Sequence, residues 1–222
     1  LFATEVDNTY YEPMKEGVHF LRVDYPSQVK PLIDSVSESQ WQDMHGAGQD
    51  WYESARNAAI KLGDKYDIPC TTACGVIAAL SPRNKWTRNL IDAENLINVY
   101  ATSGAEACDT VKVCTFGKNK DKALRILAAV PTLDMVESIL SGPKLTEFFR
   151  CIIGQNDVCI DGHAYSIWFG DRVTLANVPS IGVKLRRQIK ADYIAVALKN
   201  DMPAYELQAI TWVTHRRLHS VA

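Results

Sequence analysis

The chain has 222 residues, 47% of them hydrophobic and 23% charged, with a formal net charge of −2. That composition suits one large domain, or one domain of two lobes, with a real buried core, and it excludes the bulk basic character that would advertise a nucleic-acid partner. A compact enzyme needs only a local basic stripe, so DNA binding stays open, while the lack of any run of about 18 apolar residues excludes an expected membrane span.

The N-terminal string LFATEVDNTYYEP has acidic and aromatic residues but no basic stretch leading into an apolar one. It is not expected to be a signal peptide, and the missing initiator Met suggests a late start. Residues 1–35 read as irregular or extended, punctuated by Pro13, Pro26 and Pro31, with VHFLRV (18–23) as a short strand or a wrapping segment. Residues 1–50 are expected to form an extension wrapping a helical domain over 51–222.

From Ser39 onward the pattern is helical. WYESARNAAIKLGDKY (51–66) has Ala and Leu at helical spacing, with Gly63 as a stop signal. TTACGVIAALS, opened by Pro69 and Thr71 or Thr72, is apolar nearly all round and is expected to be buried, ending at Ser81-Pro82. KWTRNLIDAENLINVYAT (85–102) and NKDKALRILAAV (119–130) are further predicted helices, the second broken by Pro131. LDMVESIL (133–140) runs into Ser141-Gly142-Pro143, and LTEFFRCIIG (145–154) follows. VCIDGHAYSIWFGD (158–171) begins extended and turns helical at about Gly162; helices over 183–200 and 203–220 close the chain. The fold class is therefore all-α, about eight helices on short loops, with no nucleotide-binding strand–helix alternation, P-loop or GxGxxG after a strand.

Six cysteines, Cys70, Cys74, Cys108, Cys114, Cys151 and Cys159, form no CxxC pair and no set with zinc or iron–sulfur spacing. No metal or cofactor is expected. Strings such as FFRCII and DVCIDG suit small reduced core cysteines, and a cytoplasmic location follows from that.

Functional residue types concentrate in LSPRNKWTRN (80–89), SGPKLTEFF (141–149) and CIDGHAYSIW (159–168). Asp161 follows an apolar run and precedes a small residue at a predicted helix start, where a carboxylate can cap the helix and face its positive end. Alone, Asp161 could be a cap without chemistry, and His163 a packed histidine. SPRNKW could be a helix end, a proline break and a charged restart, although it crowds hydrogen-bonding and aromatic groups for a simple turn. Lys184, Arg186, Arg187, Arg216 and Arg217 suit phosphate contacts or a solvated face equally well. Trp212, at apolar helical spacing, reads as core.

Taken in order, these strings resemble the helix-hairpin-helix DNA glycosylase superfamily of the endonuclease III type. There a hairpin ending in Gly-x-Lys-Thr-Ala leads through a helix to Val-Asp-Thr-His. Here the similar strings are Gly142-Pro143-Lys144-Leu145-Thr146 and Ile160-Asp161-Gly162-His163-Ala164, with Asp161 seventeen residues after Lys144. GVIAALSPRNKWTRN resembles the family's helix and loop with its Leu-Ser and glutamine wedge, TFGKNKDKALRIL its helix before the hairpin, and LQAITWVTHRRL its closing helix. The ordered matches span roughly 70–218. Two features depart from the family: the hairpin keeps one glycine where Leu-Pro-Gly-Val-Gly has two, and the terminal iron–sulfur cysteines are absent.

The resemblance implies a two-lobed helical fold that flips a modified or damaged base from DNA and cuts its N-glycosidic bond. It implies Asp161 as the catalytic carboxylate and puts Lys144 where the family's amine nucleophile stands. Pro143 beside that lysine can redirect its side chain, which argues against a lyase step. Arg83 and Asn84 become wedge candidates, Trp86 a stacking residue, and Asn89 and His163 pocket residues. Ser81, Gly142, Thr146, Arg216 and Arg217 would contact DNA. A monomer in a bacterial cell or a phage-infected host is expected.

Two other functions suit the same residues. One is a phage-type thymine-hypermodification transferase that adds an amine or amino acid to a pyrophosphate-activated hydroxymethyl base. The other is a non-catalytic helical DNA-binding module in which Asp161 is only a cap.

Overall fold

The computed structural model describes residues 46, 48, 50–170, 173 and 176–218, with 214 and 216–218 given by backbone alone. The expected N-terminal extension over 1–50, with its segment at 18–23, lies outside the described residues apart from Gly46, Gly48 and Asp50.

The described chain is all-α. Nine helices are traced: α1 Trp51–Tyr66, α2 Cys70–Leu80, α3 Trp86–Ser103, α4 Gly117–Ala128, α5 Leu133–Leu140, α6 Pro143–Ile153, α7 Gly162–Phe169, α8 Val183–Lys199 and α9 Ala204–Leu218. One 3-10 helix, Glu106–Thr110, joins α3 to the segment before α4. No strand occurs among the described residues, and no described helix is long and apolar enough to cross a membrane. Gly63 does not stop α1. It lies inside that helix, and its carbonyl accepts from Ile68 N at 3.1 Å as the chain leaves through Asp67 at φ 51°. A Cβ on Gly63 would meet Ile68 O at 2.8 Å, so the glycine serves the close return of the chain.

The chain divides into two compact units. One is continuous, Glu53–Gln155, and the other joins the segment ending at Tyr52 to the segment beginning at Asn156.

In the continuous unit α2 is the central element, and α3, α4, α5 and α6 all pack on it. The apolar periodicity explains why: every residue from Thr72 to Leu80 is buried. Each large side chain there, Val76, Ile77 and Leu80, contributes about 1.5–3 kcal/mol by leaving water. Gly75 lets the neighbours approach, since a Cβ would meet Val136 Cγ1 at 2.7 Å and Ile126 Cγ2 at 3.1 Å. α6 ends at Gly154, φ 88°, where Arg56 Nε donates to Ile152 O at 2.9 Å.

The discontinuous unit is built on a core of Val158, Ile160, Ala164, Tyr165, Ile189 and Tyr193, with Ala204 and Leu207 closing it. Asn156 Oδ1 accepts from Ala204 N at 2.7 Å and so caps α9. Trp51 and Trp212 meet edge to face at 5.4 Å, and both are half-buried.

Candidate active site

In the discontinuous unit, the chain before Asp161 is neither helix nor strand and is buried from Asp157 to Ile160. Two basic residues one turn apart on α8 hold it. Lys190 Nζ pairs with Asp157 Oδ1 at 2.5 Å, and Arg186 Nη1 donates to Ile160 O at 3.0 Å. Arg186 is half-buried against the segment that delivers Asp161, a structural role that its basic surroundings in the sequence concealed. Lys184 and Arg187 are exposed.

Asp161 is the N-cap of α7. Its Oδ1 accepts from the backbone N–H of His163 and of Ala164, both at 3.0 Å. The carboxylate thereby satisfies two of the amides that a helix start leaves without partners. His163 is half-buried, and its ring meets that of His215 on α9 edge to face at 5.8 Å. Tyr193, buried beneath α7, donates from its hydroxyl to Ala164 O at 3.4 Å. Burial pushes the Tyr193 phenol well above its ordinary range, and the Asp161 charge pushes the same way against a hydrogen bond with Thr211. Arg216 and Arg217 lie on α9, where only their backbone is described.

In the continuous unit, the loop between α2 and α3 is held by side chains from well along the chain. Asp92 on α3 is fully buried and accepts three bonds: Asn84 Nδ2 at 3.0 Å, Arg88 Nε at 2.7 Å and Cys114 N at 2.8 Å. Asn84 Nδ2 also reaches Leu80 O at 3.3 Å. Thr115 Oγ1 donates to Pro82 O at 2.9 Å and accepts from Asn119 Nδ2 at 2.9 Å. Ser81 turns its hydroxyl back to Ala78 O at 2.9 Å. Asn89 is buried, and its Nδ2 donates to Ile77 O at 3.0 Å, tying α3 to the central helix. The Oδ1 atoms of Asn84 and Asn89 are buried acceptors without a hydrogen-bond donor among the described residues.

This frame presents Arg83. The residue is exposed, sits at φ 54°, and places its guanidinium over the ring of Phe116 at 5.4 Å. Lys118 approaches the same ring at 5.8 Å. Phe116 is 46% exposed, an unusual position for a large aromatic, so cations and an aromatic face share one surface. Trp86 opens α3 and is half-buried.

The hairpin is α5, the pair Ser141-Gly142, and α6. Ser141 takes the left-handed conformation at φ 52°, while Gly142 is extended at φ −128° and N-caps α6. The glycine of this turn is thus not the residue in the left-handed region. Lys122 on α4 secures the turn, donating from Nζ to Leu140 O at 2.5 Å and to Ser141 Oγ at 3.1 Å. Desolvation leads in lowering the Lys122 ammonium below its ordinary range, with Lys118 and Arg125 adding to it. Pro143 is at the first helical position, where its missing N–H costs nothing. Lys144 follows and is exposed; Thr146 N closes the first turn on Gly142 O at 3.0 Å.

The expected site residues therefore form three groups. Ser81, Asn84 and Asn89 belong to the hydrogen-bonded loop frame with Arg83 at its tip, Gly142, Lys144 and Thr146 belong to the hairpin, and Asp161 and His163 share the start of α7. Sequence reasoning missed Asp92, Phe116 and Lys122. The partners of Asp92 and Lys122 lie mostly far along the chain, and the clue to Phe116 was its place beside Lys118 just ahead of a helix.

Residues 26–219 match a protein family described as Family of unknown function (DUF7178). The chain belongs to this family. A search of curated proteins and of solved structures finds no match.

Proposed function

We propose that the chain is a DNA N-glycosylase that flips a modified or damaged base and cuts its N-glycosidic bond with the help of Asp161. The observation that carries this reading is the placement of Asp161. An α-helical hairpin runs through α6 into a buried, non-helical segment that ends on this carboxylate at the N-cap of α7. That sequence of elements is the one the resemblance asks for.

The chemistry suits a fixed carboxylate. When the bond between C1′ and the base nitrogen breaks, the base leaves with the electron pair and positive charge grows on the sugar. A preorganised negative group stabilises that charge without having to rearrange at the moment of reaction. Two backbone amides hold one carboxylate oxygen of Asp161 in position. In this mechanism the carboxylate also orients a water that attacks C1′ and takes up that water's proton, which passes through solvent to the departed base, leaving an abasic site and a neutral free base. Arg83, at the tip of a braced loop beside exposed Phe116, suits the filling of a vacated base stack. The single-sign cluster of Arg83 and Lys118 suits the phosphates on either side.

The test is mass spectrometry of nucleosides and free bases after wild type and Asp161→Asn are incubated with natural and phage-modified DNAs. Release of a free base by wild type alone supports the proposal and names the base. A nucleoside that gains mass without base release replaces it with the transferase. Equal DNA binding by both proteins with no reaction from either leaves a binding module.

A further inference from the structure

Cys70 and Cys74 are one helical turn apart at the start of α2, and their sulfurs are 3.8 Å from each other. Cys70 is the first helical residue and is half-buried; Cys74 is fully buried in the central helix. No side chain caps this end of α2, whose N-cap is Pro69. The geometry points to an oxidant-reactive dithiol here, with Cys70 as the attacking thiolate, Cys74 as the resolving thiol and a peroxide as the oxidant.

Three observations support this division of labour. Cys70 is the member that solvent reaches. The hydrogen bond with Cys74 leads in lowering the Cys70 thiol to about 7, with Arg56 adding to it, while desolvation and Asp64 oppose. The same hydrogen bond and burial push Cys74 strongly upward, so it stays a thiol and keeps a proton to give.

The steps balance. The Cys70 thiolate attacks one oxygen of hydrogen peroxide, the O–O bond breaks, and the hydroxide that leaves takes a proton to become water. The sulfur of the resulting Cys70 sulfenic acid is then attacked by Cys74. The S–S bond forms, the S–O bond breaks, and the departing hydroxide leaves as water with the Cys74 proton. Two thiols are oxidised and one peroxide is reduced to two waters.

The product also changes the backbone. Helix neighbours four apart hold their Cβ atoms about 5–6 Å apart, whereas a disulfide holds them at roughly 3.5–4.5 Å. The bond must draw Cys70 inward, and the uncapped first turn of α2 is the part free to give. Oxidation thus loosens the start of the helix on which the continuous unit is packed, and a dithiol reductant restores it.

Peptide mass mapping after hydrogen peroxide treatment of the full chain tests this. Tryptic peptide 66–83 carries both thiols, and peptide 151–172, with buried Cys151 and Cys159, is an internal control. The expected result is loss of two hydrogens from 66–83 before any change in 151–172, reversed by dithiothreitol and abolished by Cys70→Ser. In Cys74→Ser the same peptide should instead gain one oxygen, trapped at Cys70 by dimedone. Should that variant fail to fold, wild type and Cys70→Ser carry the test alone. The inference is overturned if 66–83 keeps both thiols while exposed Cys114 is oxidised, or if Cys70→Ser leaves the product unchanged.

Discussion

Two turns of this molecule each follow a buried apolar stretch and each present polar side chains, yet they are built by opposite means. At Asp161 the side chain itself is held locally: its carboxylate bonds to amides two and three residues on, while Arg186 braces only the backbone before it. The turn at Ser81–Lys85 is remote: Asp92, Thr115 and, behind them, Asn119 hold it, and Cys114 shares the Asp92 carboxylate. A local cap should tolerate an isosteric change, because its amides can bond to any well-placed oxygen. A remote hub should not, since one buried group serves several donors at once.

The largest expected effect breaks the remote hub. Asp92→Ala removes a fully buried carboxylate that serves Asn84, Arg88 and the Cys114 N–H at once, at about 3 kcal/mol or more. Denaturant unfolding checks it, and Asp92→Asn should recover only part of the loss. Gly75→Val comes next at about 2 kcal/mol, by overpacking α2 against Val136 and Ile126, measured the same way.

The local turn should behave more mildly. Asp161→Ala removes the cap of α7 and costs about 1 kcal/mol, whereas Asp161→Asn keeps a capping oxygen and should unfold within a few tenths of wild type. Smallest is Arg83→Gly. It releases a left-handed arginine, so stability should hold or rise by up to about 1 kcal/mol. Base release and DNA affinity should fall together in that variant, the pattern of strain kept for function.

The same contrast explains what the sequence made legible. Apolar periodicity marked the nine helices traced among the described residues to within a few residues, one more than the eight expected, and the burial of α2 from Thr72 on was plain from TTACGVIAAL. The Asp161 cap was legible because its partners lie inside one turn. Asp92 was not, for two of its three partners are 8 and 22 residues away, and an aspartate one turn from Arg88 and beside Ile91 on a helix reads as a solvated ion pair. Arg186 was hidden for the same reason, its carbonyl partner being 26 residues back. The hairpin was legible as two helices on a short turn, but its left-handed residue proved to be Ser141, steadied by Lys122 from α4.

The most direct test of the central claim separates the cap of Asp161 from its charge. Wild type and Asp161→Asn, matched by circular dichroism and melting temperature, are compared for the single-turnover rate of free-base release from the DNA that wild type acts on. Equal folding with a rate lower by about a hundredfold or more is the expected result, since only the charge proposed to stabilise the sugar cation has gone. Base release by Asp161→Asn at the wild-type rate would contradict it and leave Asp161 as a helix cap alone.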